Sequence, residues 1–173
     1  MDPGLSDRAQ RVGETLSARS WMLTTAESCT GGWIGECVTM VAGSSGWYDR
    51  GFITYTNAAK MQMLGVRAET LRDHGAVSEA TVVEMALGAL ARSDAHIAVA
   101  VSGIAGPGGA TAGKPVGTVC VGWAVAGGEA WVRSVRFGGD RESVRRQAVL
   151  VALDGVISLA QGKGPEGAPR SAA

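Results

Sequence analysis

The chain has 173 residues, of which 46% are hydrophobic and 18% are charged. This length is enough for one well-filled core and short for two domains, and the composition is typical of a globular protein rather than a disordered or fibrous one. Sixteen basic residues balance sixteen acidic ones, so no broad electrostatic field is available to attract nucleic acid or an acidic membrane surface.

The N-terminal segment is predicted to form a helix over residues 5–19, because apolar residues recur there at helical spacing. These residues are Leu5, Ala9, Val12 and Leu16. The charged residues of the same segment exclude the apolar region of a secretory signal, and no run in the chain approaches the length that spans a bilayer. We therefore expect a cytoplasmic protein.

Residues 24–32, which read TTAESCTGG, lie between two apolar patterns. A short buried strand is predicted just before them and a helix over 30–41, so Ser28 falls at the junction. A helix start leaves backbone N–H groups unpaired and carries partial positive charge, which would stabilise a negative oxygen beside Ser28. Ser28 is therefore a candidate nucleophile. The alternative for this segment alone is that Ser28 or Thr30 only caps the helix.

A second polar cluster, TYTNAAK at residues 54–60, follows a strand predicted near 50–55 and opens a short helix. It supplies Tyr55 and Lys60 as candidate bases. Lys60 is preferred to His74, whose polar neighbours are typical of a solvated loop. Cys29 is a rival nucleophile, because thiolates form readily at helix starts. The cysteines and histidines show no metal-ligand spacing, so we expect no metal site.

The second half of the chain continues the alternation of helices and strands. A helix is predicted from Ser78 to about Ser93, a central strand over 96–101, a hairpin of strands over 117–125 and 129–137, and a long helix after Asp140. This order predicts an α/β fold, a three-layer α/β/α sandwich with a mixed central sheet. We expect one domain over residues 1–161. Residues 162–173, rich in glycine, proline and alanine, are predicted to be a disordered tail.

A glycine-rich loop follows the central strand and contains Gly106, Gly108, Gly109, Thr111 and Lys114. Successive backbone N–H groups in such a loop can bind a phosphate, with the threonine hydroxyl and the lysine adding a donor and a charge. The spacing does not fit a Walker loop, since no Gly-Lys-Ser/Thr follows and no helix begins directly after it. An ordinary turn between strands remains the alternative.

Five ordered motifs together resemble the CinA C-terminal domain family over about residues 5–160. They are AESCTGG at 26–32, YTNAAK at 55–60 before LGV at 64–66, GAVS at 75–78, SGIAGPGG at 102–109, and KPVGTV at 114–119. The enzymatic members of this family are nicotinamide-nucleotide amidases. The resemblance implies an α/β/α sandwich and deamidation of nicotinamide mononucleotide to nicotinic acid mononucleotide and ammonia, without a cofactor.

The resemblance also implies roles for individual residues. Ser28 matches the nucleophile and Lys60 its base, with Tyr55 as a supporting hydroxyl. The loop from Gly106 to Gly109, with Thr111, resembles part of the nucleotide site. Arg141 and Arg145 are candidates for the substrate phosphate, or else solvated helix charges.

Several points stay open at the level of sequence. The N–H groups of Thr30, Gly31 and Gly32 are the candidate oxyanion donors, and Glu27 either orients Lys60 or faces solvent. We expect a small-molecule pyridine nucleotide as the partner, no nucleic acid or membrane, and a homo-oligomer. The alternative function is a non-catalytic nucleotide-binding module of the same fold.

Overall fold

In a computed structural model the chain is described over residues 2–171, and Met1, Ala172 and Ala173 lie outside that range. The described part contains six α-helices and five β-strands. In chain order they are α1 (Pro3–Arg19), β1 (Leu23–Glu27), α2 (Trp33–Thr39), β2 (Tyr48–Ile53), α3 (Asn57–Leu64), α4 (Ala68–His74), α5 (Glu79–Ala91), β3 (Ile97–Gly103), β4 (Thr118–Val125), β5 (Glu129–Arg136) and α6 (Arg141–Ala160).

The five strands form one sheet in the order β2-β1-β3-β4-β5. β1 is parallel to β2 and β3, whereas β4 is antiparallel to both β3 and β5. Helices α1, α2 and α6 bury their apolar residues on one face of the sheet, and α3, α4 and α5 do so on the other. The predicted three-layer α/β/α sandwich with a mixed sheet is therefore confirmed.

Two helices differ from their predicted positions. α2 begins at Trp33 rather than near residue 30, because the turn before it contains Gly31 and Gly32 with φ angles of 62° and 100°. Left-handed backbone at two successive residues cannot belong to an α-helix. α4 had no counterpart in the sequence-based assignment, since Thr70 and Leu71 are its only buried residues and leave little apolar periodicity to detect.

The segment after α6 lies beside β5 as far as the structure describes it. The Val132 N–H donates to the Pro169 carbonyl at 3.3 Å and the Ser171 N–H donates to the Ala130 carbonyl at 2.8 Å. Both contacts are made by backbone groups. The prediction of disorder used only the amino-acid composition of residues 162–173, which cannot show such contacts. No helix within residues 2–171 has the length and hydropathy needed to cross a membrane.

The carboxyl ends of the three parallel strands meet at one edge of the sheet, as neighbouring parallel strands must. The Ser28 N–H donates to the Val101 carbonyl at 2.9 Å, and the Thr54 N–H donates to the Glu27 carbonyl at 2.8 Å. These bonds continue the β1–β3 and β1–β2 pairing by one residue. As a result Thr54, Ser28 and Ser102 lie side by side at the carboxyl ends of β2, β1 and β3.

A glycine allows α3 and α5 to pack closely. A Cβ atom built on Gly88 of α5 would lie 2.0 Å from the carbonyl oxygen of Leu64, the last residue of α3. Since α3 carries Lys60, the close packing of α3 on α5 helps to set the position of the Lys60 side chain relative to the sheet.

Replacing Gly88 by alanine should destabilise the protein, although alanine is the better helix former. The added methyl group would force α3 away from α5, and overpacking of this kind costs about 1–3 kcal/mol. Urea unfolding of Gly88→Ala beside Gly46→Ala, where a Cβ has open space around it, provides the measurement. Equal free energies of unfolding for the two variants would contradict this packing role.

Candidate functional site

Ser28 and Lys60 form a buried pair at the carboxyl edge of the sheet. Lys60 is 1% exposed and Ser28 is 8% exposed. The Lys60 Nζ atom lies 3.0 Å from Ser28 Oγ and donates to the Thr54 carbonyl oxygen at 2.8 Å. The structure thus brings together the two residues that the sequence singled out as nucleophile and base.

The start of α3 directs Lys60 into this position. Thr56 caps the helix, its hydroxyl accepting from the Ala59 N–H at 3.1 Å, and Lys60 follows on the buried side of the first turn. Burial lowers the pKa of the Lys60 ammonium, because the charged form loses hydration. The neutral amine is the form that can accept the Ser28 proton.

Glu27, the last residue of β1, is 1% exposed and organises the turn that follows it. Its Oε2 atom accepts from the Thr30 hydroxyl at 2.6 Å and from the N–H groups of Gly32 and Ile34, each at 3.1 Å. Its Oε1 atom accepts from the Gly35 N–H at 2.9 Å. Glu27 therefore neither orients Lys60 nor faces solvent, but binds the unpaired donors at the start of α2.

Two of the three predicted oxyanion donors are already engaged. The Gly32 N–H donates to Glu27, and the Gly31 N–H donates to the Ser28 carbonyl at 3.0 Å. The N–H groups of Cys29 and Thr30 donate to no acceptor within the described part of the chain. Of the predicted set, only Thr30 keeps a free backbone donor, and Cys29 supplies one that the sequence did not indicate.

The Cys29 thiol is poorly suited to act as a nucleophile. It is 5% exposed, and burial raises its pKa to about 12. The helix start that was expected to favour a thiolate is already occupied by the Glu27 carboxylate. The rival assignment based on Cys29 is therefore disfavoured by its surroundings.

Two arginines of α6 reach across to the loops of the site. Arg145 donates to the carbonyl oxygens of Cys29 and Thr30, both at 3.0 Å, and its guanidinium lies 5.3 Å from the centre of the Trp33 ring. Arg141 donates to the Gly106 carbonyl at 2.8 Å and to the Tyr55 hydroxyl at 3.0 Å. Both arginines contact the site, so neither is simply a solvated helix charge.

Tyr55 does not join the buried pair. Its side chain is largely exposed, and its hydroxyl contacts Arg141 but forms no hydrogen bond with Ser28 or Lys60. The structure therefore places Tyr55 at the mouth of the site, where it can contact a ligand and hold Arg141. A direct proton relay between Tyr55 and Lys60 has no support in this geometry.

Two adjoining cavities surround these residues. A small one of about 180 Å³ is lined by Ser28, Lys60, Tyr55, Ser102 and Arg141 among others. An open cleft of about 530 Å³ is lined by the 30–33 turn, Glu36, Glu142 and the two arginines. Arg141 lines both, so it marks the boundary between a buried reactive compartment and an open polar one.

The glycine-rich loop is only partly in contact with the site. Gly106 reaches it through its carbonyl group, which accepts from Arg141. Gly108, Gly109 and Thr111 are exposed and line neither cavity. The loop bends back on itself instead, with Thr111 paired to Lys114, whose ammonium donates to the His74 carbonyl at 2.7 Å.

The chain is similar to several known proteins. The sequence model of the family described as CinA C-terminal domain matches residues 5–160. The nicotinamide-nucleotide amidohydrolase PncC of Escherichia coli strain K12 is 56% identical over 152 residues, covering 88% of this chain and 92% of that protein. The protein of the same name from Pseudomonas putida is 49% identical over 159 residues, covering 92% and 98%.

A solved structure agrees with these similarities. The competence/damage inducible protein CihA from Agrobacterium tumefaciens matches with a TM-score of 0.89 at 46% identity, over 92% of this chain and 97% of that chain. The residues matched by the family model include both cavities and the whole turn organised by Glu27.

Replacing Glu27 by glutamine should destabilise the fold. An amide has one acceptor oxygen where the carboxylate has two, and its NH₂ group would face a backbone N–H. Losing charge-assisted bonds in a buried position costs about 2–3 kcal/mol. The free energy of unfolding in urea is the measurement, with Glu36→Gln, at an exposed glutamate of α2, as the matched control. A Glu27→Gln protein as stable as the control would contradict the organising role of this carboxylate.

Proposed function

The chain belongs to the CinA C-terminal domain family, and we propose that it hydrolyses the carboxamide of nicotinamide mononucleotide to nicotinic acid mononucleotide and ammonia. The observation that carries the proposal is the 3.0 Å separation of Lys60 Nζ and Ser28 Oγ inside a small cavity. A hydroxyl beside a buried amine is the arrangement that makes serine a nucleophile. The substrate is taken from the relatives in Escherichia coli and Pseudomonas putida, which are named nicotinamide-nucleotide amidohydrolases.

The first half of the reaction acylates Ser28. Neutral Lys60 removes the Ser28 proton as Oγ attacks the carboxamide carbon, and the resulting oxyanion is held by the free N–H groups of Cys29 and Thr30. The C–N bond then breaks, a proton passes from the Lys60 ammonium to the leaving nitrogen, and ammonia departs.

The second half of the reaction hydrolyses the ester formed on Ser28. Water attacks the ester carbon while Lys60 accepts a proton from the water. The acid is then released, and the proton on Lys60 passes to Oγ, which restores Ser28.

The charge state of Lys60 decides whether this chemistry can begin. An ordinary lysine titrates near 10.4, so holding it neutral at pH 7 costs about 4.6 kcal/mol. Burial lowers the Lys60 pKa and so reduces that cost. The pyridinium ring of the substrate adds a positive charge to the same cavity, which disfavours the ammonium further.

The two cavities match the two ends of the proposed substrate. The carboxamide belongs in the small cavity with Ser28, and the phosphate belongs in the open cleft, where Arg141 and Arg145 supply guanidinium groups. Tyr55, bound to Arg141 at the boundary, would contact the ring or ribose. We assign Gly108, Gly109 and Thr111 no direct contact with the substrate.

Ammonia release tests the assignment of Ser28 and Lys60. Ser28→Ala should reduce turnover of nicotinamide mononucleotide to background, and Lys60→Met should lower it about 10²–10⁴-fold, the usual contribution of a general base. Cys29→Ala is the matched control, since it removes the adjacent thiol and should keep most of the activity. Turnover that survives in Ser28→Ala but not in Cys29→Ala would reverse the assignment.

The same experiment separates the enzyme from a binding module. A wild-type protein that binds the nucleotide, by calorimetry, but releases no ammonia would favour the non-catalytic alternative. In that case Ser28→Ala and Lys60→Met would change the dissociation constant only.

The pH dependence of turnover should show the lowered pKa of Lys60. Below that pKa the ammonium cannot accept a proton, so kcat/KM should fall as the pH decreases through it and level off above it. The midpoint should lie below the ordinary lysine value of about 10.4. A pH–rate profile in constant ionic strength provides the measurement. A midpoint at or above the ordinary value would contradict a buried neutral base.

A further inference from the structure

Ser102 lies beside the proposed nucleophile on the neighbouring strand. Glu27 of β1 pairs with Val101 of β3, and the Ser28 N–H continues that pairing by donating to the Val101 carbonyl at 2.9 Å. Ser28 follows Glu27 and Ser102 follows Val101, so the two serines lie next to each other on neighbouring strands of the sheet. Both residues line the small cavity with Lys60.

The Ser102 hydroxyl is buried without a protein partner. Ser102 is 1% exposed, yet its Oγ atom forms no hydrogen bond with any residue in the described range 2–171. Thr54 Oγ1 is the one unpartnered side-chain oxygen in that range that is fully enclosed, so Ser102 Oγ keeps some contact with the cavity. A hydroxyl that faces the cavity and has no protein partner is available to bind a ligand there.

The other hydroxyls near Ser28 are not available in the same way. The Tyr55 hydroxyl contacts Arg141, and Thr54 Oγ1 is enclosed and lines neither cavity. Lys60 already contacts Ser28 Oγ and the Thr54 carbonyl. Of these hydroxyl-bearing residues, Ser102 is therefore the one that lines the small cavity and has no protein partner, so it is free to contact the leaving nitrogen.

This inference rests on the proposed function: we infer that Ser102 binds the carboxamide NH₂ group and positions its nitrogen to receive the proton that lets ammonia leave. In the bound substrate Ser102 Oγ accepts a hydrogen bond from the amide nitrogen. As the C–N bond breaks, the Lys60 ammonium gives its proton to the nitrogen that Ser102 holds in the cavity. Ammonia departs and Lys60 becomes neutral, while Ser102 keeps its own proton throughout.

This role separates substrates by their leaving group. An amide nitrogen must be protonated before it departs, whereas a thiolate can depart without a proton. The test therefore compares nicotinamide mononucleotide with the S-methyl thioester of nicotinic acid mononucleotide, which differs only at the leaving group. Ser102→Ala should lower kcat for the amide about 10²-fold, the usual cost of a misplaced reacting group, and leave kcat for the thioester within about threefold of wild type.

A matched control comes from the next strand. Cys120 of β4 pairs with Ser102 and is 3% exposed, but it contacts Ser134 and does not line the cavity. Cys120→Ala should leave the ratio of amide to thioester turnover unchanged. Ser102→Thr, which keeps a hydroxyl, should recover amide turnover relative to Ser102→Ala, and thermal unfolding checks that each variant is folded.

The outcomes distinguish this inference from the proposed function. Ammonia release by Ser102→Ala at the wild-type rate, or an equal fall for both substrates, would overturn the role of Ser102 while leaving the Ser28 and Lys60 assignment intact. A wild-type protein inactive on both substrates would overturn the proposed function itself, and the inference with it.

Discussion

The buried carboxylate of Glu27 is the interaction on which the geometry of the site depends. It binds the Thr30 hydroxyl and three N–H groups at the start of α2, and so closes the turn that carries Ser28. Arg145 holds the same turn from the other side through the carbonyls of Cys29 and Thr30. Because Glu27 offsets the positive end of α2, an oxyanion formed under the proposed function would be stabilised by individual N–H groups rather than by the helix as a whole.

Lys60 lies in the opposite electrostatic situation. Its two hydrogen-bond partners, Ser28 Oγ and the Thr54 carbonyl, are both neutral, so no carboxylate compensates for the hydration that its ammonium loses on burial. The site therefore buries an acid whose charge is fully satisfied next to a base whose charge is not. This contrast explains how the site combines a rigid turn after β1 with a reactive amine on α3.

Much of the fold, and the central pair of the site, could be predicted from the sequence. Apolar periodicity located the sheet and most helices, and hydroxyl or amine groups at strand ends pointed to Ser28 and Lys60. Neither role considered for Glu27 was right, because three of its four partners are backbone N–H groups, which have no sequence signal. The glycine-rich loop showed a capacity to bind phosphate but not its distance from the site, and only Gly106 reaches Arg141. The sequence also could not show that Tyr55 lies at the mouth of the site against Arg141, because adjacency to a strand end does not reveal which way a side chain turns.

The two cavities, with Arg141 lining both, set the orientation of the substrate in the proposed reaction. Under the proposed function, a phosphate in the open cleft and a carboxamide in the small cavity place the pyridinium ring near Lys60, where its charge favours the neutral amine. Hydrolysis then replaces a neutral amide by an acid that ionises. The carboxylate so formed favours the ammonium form of Lys60, so the proton released by the product can remain on the same amine. Under the proposed function, one lysine therefore changes its preferred charge with the group in front of it, and Ser102 positions the leaving nitrogen at the step where that nitrogen is protonated.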